Sequence, residues 1–280
     1  EASWNQHIDG GWVVENAGQL MWAVAKLNSS ETQHNIIIKN DITLPDGVIW
    51  EPLGTTEVPF TKKIKTYMDN SCVIDLKTQT VTSSNYGLIG FASSSGVNVN
   101  NITVKGTFNI EAAVEGVGGI VGTTSNTISI TNTISKVDIN VLETGVSSNK
   151  IGGLVGKGLE TVNINKCSNF GTLNVNGVYE SVGGLVGYLE KGTITNSINY
   201  ANVTSNTTKY IGGIIGFVSD KMTGNIENVA SLGKVEGKTF SISAGSNVVE
   251  MKPGDIVGYF DNDPTLTITN CYYLGDTAFG

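Results

Sequence analysis

The amino-acid sequence predicts an all-β chain wound into a right-handed parallel β-helix, a solenoid with a short N-terminal capping helix. Three observations carry this expectation. A motif of two glycines, two apolar residues and a third glycine stands at 118–122 and returns at 152–156, 183–187 and 212–216. A second set of residue columns keeps step with it. The composition is rich in turn formers, with 35 Gly and 29 Asn among 280 residues and no Arg. Internal repetition of this kind decides architecture ahead of local propensity.

From the N-terminus, Asn16 is placed to cap a helix running to about Asn28, with Leu20, Met21, Val24 and Leu27 on one apolar face. Strand-like runs follow at Ile36-Ile37-Ile38, Ile42-Thr43-Leu44 and Val73-Ile74-Asp75-Leu76. All four Trp, at 4, 12, 22 and 50, fall in this atypical stretch. A solenoid must cover the apolar face of its end coil. Residues 1–85 are therefore assigned as cap and first coils and residues 86–280 as the repeats, within one continuous domain whose β-helix runs from about 36 to 275.

Weaker motif copies flank the four full ones: Tyr86-Gly87-Leu88-Ile89-Gly90, with Tyr for the first Gly, and Gly254-Asp255-Ile256-Val257-Gly258, with Asp for the second. Starts at 86, 118, 152, 183, 212 and 254 are spaced by 32, 34, 31, 29 and 42 residues. After each copy comes an apolar residue, a polar one and a corner residue: Asn101, Asn132, Lys166, Asn196, Asn228 and Asn270. Further on, Gly106, Gly171, Gly233 and Gly275 share a column with Val137 and Ala201, and Phe108, Ile139, Leu173, Val203 and Val235 follow two residues later. Two registers that agree exclude coincidence.

Each unit holds two or three short β-type runs and no 3.6-residue period long enough for a helix, which sets aside leucine-rich, ankyrin and tetratricopeptide repeats. A propeller blade needs about 40 to 50 residues, whereas about thirty fit one three-sided coil. Coils stacked at ~4.8 Å turn each column into a ladder, so Asn132 and Asn228 should lie about three coil spacings apart. Asn tolerates the left-handed conformation a corner requires, and stacked carboxamides can hydrogen-bond from coil to coil. Right-handed winding follows from the crossover preference of parallel strands.

Charge and hydropathy exclude several functions. With 25 acidic and 17 basic residues and a net charge of −8, the chain has no basic surface to neutralise phosphates, so nucleic acid is not expected as a partner. A hydrophobic share of 39% supplies a core. No apolar run reaches the ~20 residues of a membrane-spanning helix; the best, Trp12 to Leu27, is broken by Glu15, Asn16, Gln19 and Lys26. The chain opens at Glu1 without a Met or a charged-then-apolar leader and reads as a mature or trimmed segment whose export signal, if any, is gone.

Catalytic patterns are sparse. Asp255, Asp261 and Asp263 lie close in sequence, and Asp261-Asn262-Asp263 offers oxygens to a calcium ion, but a dedicated site needs 6 to 8 oxygen ligands and a solvated loop before Pro264 accounts for them. His7 and His34 lack the His-Glu-x-x-His spacing of a protease zinc site, and no Ser occupies a Gly-x-Ser-x-Gly turn. The Gly-Gly-x-x-Gly runs precede β-runs, not one helix, so they do not form a phosphate cradle. Cys167 and Cys271 share a column three coils apart, roughly 14 Å, beyond the ~7 Å limit for a bridge, and with Cys72 are read as buried free thiols. Sequons at Asn28, Asn101, Asn202 and Asn206 are expected by chance in so Asn- and Thr-rich a chain. No catalytic residue, metal or cofactor is assigned.

Over residues 86–280 the motif resembles the GLUG repeat family, and Asn40-Asp41-Ile42-Thr43-Leu44 with Trp50-Glu51-Pro52-Leu53-Gly54 is similar to the segment that leads into such repeats. The resemblance implies an extracellular β-helical region of bacterial surface proteins, seen in adhesins and in the non-catalytic part of some immunoglobulin A proteases. The expected function is accordingly a secreted, cell-surface adhesin or interaction module, non-catalytic, that presents one β-helical face to a host or matrix protein or glycan. The alternative is a spacer or substrate-positioning domain of a larger surface protease; a glycan-degrading β-helix enzyme ranks third. The candidate binding residues are Tyr188, Phe217 and Tyr259, which follow the last Gly of three successive motifs and should stack as a ladder. Periodicity leaves their direction open, and the average burial of large aromatics favours the interior.

Overall fold

The computed structural model describes residues 7–8, 10–29, 33–141, 150–176, 181–205, 209–237, 240–244, 247–251, 253–262 and 264–274. Within them the chain is a parallel β-solenoid whose coils contribute to three sheets, of 14, 11 and 5 strands. Nearly every pairing is parallel and joins one coil to the next: Ile36, Ile64, Val99, Ile130, Ile164, Ile194 and Ile226 meet rung by rung along the first sheet. All seven are buried. Val137, Gly171, Ala201 and Gly233 stack in the second sheet as the repeat register requires, with Ile139, Leu173 and Val203 buried two residues on. Gly275 lies outside the described residues.

The Asn column takes the left-handed corner conformation, with φ of 60°, 48°, 51°, 54° and 51° at Asn101, Asn132, Asn196, Asn228 and Asn270, and 54° at Lys166. Each corner N–H donates to the following coil: Asn132 to Asn165, Lys166 to Thr195, Asn196 to Glu227 and Asn228 to Thr269. Asn132 and Asn228 are thus three rungs apart. The carboxamide ladder runs from Asn270 to Asn228 to Asn196 at 3.2 and 3.3 Å and ends on Asn165. Lys166 interrupts it for want of an amide.

A second polar ladder lies inside the coil, where the sequence reading placed none. Ser135, Asn169, Asn199 and Ser231 pair in register and are buried. Asn169 donates to Asn199 at 3.1 Å, and each of these two closes a tight turn by bonding the N–H and C=O two residues ahead. These side chains explain the second glycine of the motif. A Cβ on Gly119, Gly153, Gly184 or Gly213 would overlap Ser135, Asn169, Asn199 or Ser231 respectively.

The N-terminal end departs from expectation in three details. The helix spans Ala17–Asn28 with Asn16 as cap, its side chain accepting from the Gln19 N–H at 3.0 Å, but the buried face is Leu20, Ala23, Val24 and Leu27 while Met21 is exposed. Solenoid strands begin before residue 36, because Gly11–Val14 pairs in parallel with Asn35–Ile38 and His7–Ile8 adds an antiparallel edge. Tyr86 does not replace the first motif Gly. It pairs with Val117, whereas Ile89 pairs with Val121, so this unit is one residue shorter and Gly87 takes the place of the first Gly. The buried Tyr86 hydroxyl donates to the Trp50 carbonyl at 3.0 Å, and its ring meets Phe108 edge-on.

The long spacing before Gly254 has a local cause. An antiparallel hairpin, Phe240–Ala244 with Asn247–Met251, is inserted between the strand Val235–Gly237 and the next coil. Pairing then resumes without slippage at Gly254, Val257, Leu266 and Tyr272 against Gly212, Ile215, Gly224 and Ala230.

Candidate functional site

Tyr188, Phe217 and Tyr259 pair in register on strands Val186–Thr195, Ile215–Val218 and Val257–Phe260. Gly187, Gly216 and Gly258, just before them, pack onto neighbouring backbone so closely that a Cβ would overlap it. Strand alternation then turns the next residue the opposite way. The rings are half-buried and stand outside the apolar core, which corrects the interior placement favoured above. Ring centroids are 5.3 Å apart at both steps, with 11° between the planes of Tyr188 and Phe217. Stacking, near-parallel at the first step and tilted by 33° at the second, directs the ring faces at one another and the edges outward, so a sugar ring does not lie flat across the ladder as expected from the sequence.

A fourth ring, Tyr210, stacks on Tyr259 at 4.6 Å and meets Phe217 edge-on at 5.0 Å. It precedes its motif by two residues and shares a column with Lys150 and Ser181, so no aromatic repeat signalled it. Cations frame the patch: Lys150 lies 5.9 Å from the Tyr188 ring centre, Lys209 5.0 Å from that of Tyr210, and Lys221 reaches Glu190 at 3.4 Å. The Tyr188 hydroxyl donates to Glu190 at 3.2 Å, and burial pushes its phenol pKa up. The outcome is a preorganised apolar strip with a charged rim, the make-up of a contact surface.

Other sequence candidates are not brought together. Asp255 and Asp261 are in different parts of the last coil, Asn262 donates to Asp261 at 3.2 Å, and Asp263 lies outside the described residues. Among the described residues no three His, Cys, Asp or Glu converge in a way that would hold a metal. His7 pairs with Trp12 across the edge hairpin, and the His34 ring stacks on Trp12 at 4.5 Å. Asn28 is structural: its amide bonds the Pro52 carbonyl at 2.9 Å and the Gly54 N–H at 2.7 Å.

Cys72 joins the column of Cys167 and Cys271, facing Ile102. All three thiols are free, Cys72 and Cys167 buried and Cys271 only half-buried, which corrects the reading for the last. Burial pushes the Cys167 thiol up to about 12, and the thiol donates to the Ile130 and Asn165 carbonyls. The neutral thiol is thus favoured in the fold, so its contribution holds below the unfolded pKa near 9 and is lost as pH rises toward 12. Burial also pushes the Cys271 thiol up but covers it less completely, so a thiol-specific reagent at pH 8 should label Cys271 in the native protein faster than Cys167, which reacts only at the rate of unfolding; mass mapping of the labelled peptides checks this.

No protein-family model matches the chain, and no curated protein matches it. Among solved structures it is similar to the crystal structure of a candidate immunoglobulin A1 protease from Bacteroides ovatus, at 17% identity and a TM-score of 0.61, over 94% of this chain and 84% of that one. At that identity the likeness shows the β-solenoid fold.

Proposed function

We propose that the chain is a non-catalytic, extracellular interaction module of the GLUG-repeat type, an adhesin-like rod that engages a host or matrix partner through its aromatic strip. The observation that carries this reading is the outward, half-buried ladder Tyr188–Phe217–Tyr259, widened by Tyr210. Rigid aromatic rings supply contact area at little cost in side-chain entropy, and contact hot spots are rich in Tyr. Edge-out stacking favours a protein partner, whose apolar side chains fit between ring edges. A second reading, a positioning domain within a larger surface protease, draws support from the likeness to the Bacteroides ovatus protein.

The test is an array of host and matrix proteins and glycans probed with the chain and with a Tyr188→Ala, Phe217→Ala, Tyr259→Ala variant. Half-buried pairs of this kind are worth about 0.5–1.5 kcal/mol each, so the variant should stay folded with a Tm lower by several degrees. Binding should fall more than about tenfold. A variant that binds as well as the parent refutes the strip. Depolymerisation of an acidic polysaccharide by the chain, lost on changing Asp261 or Asp263, would refute the non-catalytic assignment.

A further inference from the structure

The second sheet carries a groove on a different face from the aromatic strip. It is open, has a volume of about 480 Å³, and is lined by Asp46, Asp75, Lys77, Lys105 and Lys136 with Thr78 and Thr107. Asp75, Lys105 and Lys136 are successive rungs of one column, and the next rungs are Phe170 and Tyr200. Lys105 pairs with Asp75 at 3.2 Å and Lys77 with Asp46 at 3.4 Å. Lys136 is exposed, pairs with no carboxylate among the described residues, and lies 5.8 Å from the centre of the Phe170 ring. Phe170 and Tyr200 are stacked at 4.4 Å and exposed.

The groove is built by an irregularity. Register shifts between Lys105 and Thr107, so Leu76 and Lys77 together face Gly106. Lys77 adopts a left-handed φ of 61°, as the Asn corners do but in the middle of the strand Cys72–Val81, and turns outward while Leu76 is buried. Gly106, at φ 150°, packs on the Lys77 carbonyl and leaves the floor without a side chain. Bulges of this sort re-aim side chains at functional places.

We infer that this groove binds a carboxylate-bearing saccharide. Three ammonium groups against two carboxylates leave a local excess of positive charge in a chain of net charge −8. That excess suits one anionic group, seated by Lys136 and Lys105. Asp46, Asp75 and the two threonines offer acceptors, which a polyhydroxylated ligand fills with its hydroxyl donors. An acidic peptide brings few such donors and meets repulsion from both aspartates. The volume fits a di- to tetrasaccharide segment, and the exposed Phe170 edge extends the floor toward apolar C–H groups.

Calorimetric titration of the intact chain with hyaluronan tetrasaccharide tests the assignment, with neutral chitotetraose and hexaglutamate as comparators. Binding is expected for the first alone, weakening as salt is raised from about 50 to about 500 mM. A Lys105→Gln, Lys136→Gln variant should bind at least roughly tenfold more weakly, as expected for charge-assisted hydrogen bonds. Lys136→Gln alone, at an exposed position with no ion pair among the described residues and only the Phe170 ring beside it, should weaken binding while changing Tm by no more than a degree or so. The aromatic-strip variant should bind the tetrasaccharide normally, which separates this site from the preceding one. Absence of tetrasaccharide binding, equal binding of chitotetraose or hexaglutamate, or unchanged affinity in a folded Lys136→Gln variant would overturn it.

Discussion

Replacing Gly184 by Ala should cost about 4 kcal/mol or more, enough to prevent folding at physiological temperature. A methyl group there overlaps the Gly213 carbonyl of the next coil and the Asn199 amide at once. Neither has room to yield, because the carbonyl belongs to the coil stack and Asn199 is held by its own hydrogen bonds. Backbone overlap of this kind exceeds the usual 1–3 kcal/mol of overpacking. Gly18 provides the contrast. It lies inside the helix with only ordinary contact to Asn16, so Gly18→Ala should stabilise by about 0.5–1 kcal/mol. Urea denaturation of both variants, with expression yield for the first, checks the opposite signs; a near-neutral Gly184→Ala would refute the role assigned to the second motif glycine.

Asn199→Leu comes next in expected effect, at about 3 kcal/mol. The side chain accepts from the Ala201 N–H, donates to the Ala201 carbonyl and accepts from Asn169, all in the dry interior. Leucine fills the volume, strips the side-chain bonds from the Ala201 N–H and carbonyl, and takes one acceptor from the Asn169 amide, which keeps its bond to the Gly171 carbonyl, at about 1 kcal/mol or more for each bond lost. Asn199→Ser should cost less, since Ser135 and Ser231 already occupy the column. Chemical denaturation that ranks leucine no worse than serine would show that the interior ladder contributes shape and not hydrogen bonding.

What the sequence disclosed and what it withheld divide along physical lines. Close approach and left-handed corners demand particular residues, so Gly118, Gly152, Gly183 and Gly212, and Asn132 and Asn228, stood out as columns and fixed the coil register. Facing direction is weaker in sequence. Tyr188, Phe217 and Tyr259 were found as a ladder, but the turn made by the preceding glycine, and hence their outward aspect, depends on three-dimensional packing. Buried Asn169 and Asn199 carry no apolar signal at an interior position; their ladder works only when successive coils supply complementary amides. The Asp75, Lys105, Lys136, Phe170 and Tyr200 column was within reach, three positions after the cysteine column. Its chemistry changes midway from charged to aromatic, so no single residue type marks it along the sequence. Tyr86 was displaced by one position because a shortened turn leaves the motif readable in the wrong frame.

The hairpin at Phe240–Met251 shows where this architecture stores change. Coil pairing is the same before and after it, and the path from the second sheet to the third is also what differs in length between Ile139 and Gly152, Leu173 and Gly183, and Val203 and Gly212. Smaller changes elsewhere are absorbed locally: the extra residue at Leu76–Lys77 and the shortened turn at Gly87–Ile89 leave every later rung in step. The largest insertion falls at one edge, where a descendant of this chain can acquire new loops while the stacked interior, and both faces that carry side-chain ladders, are inherited intact.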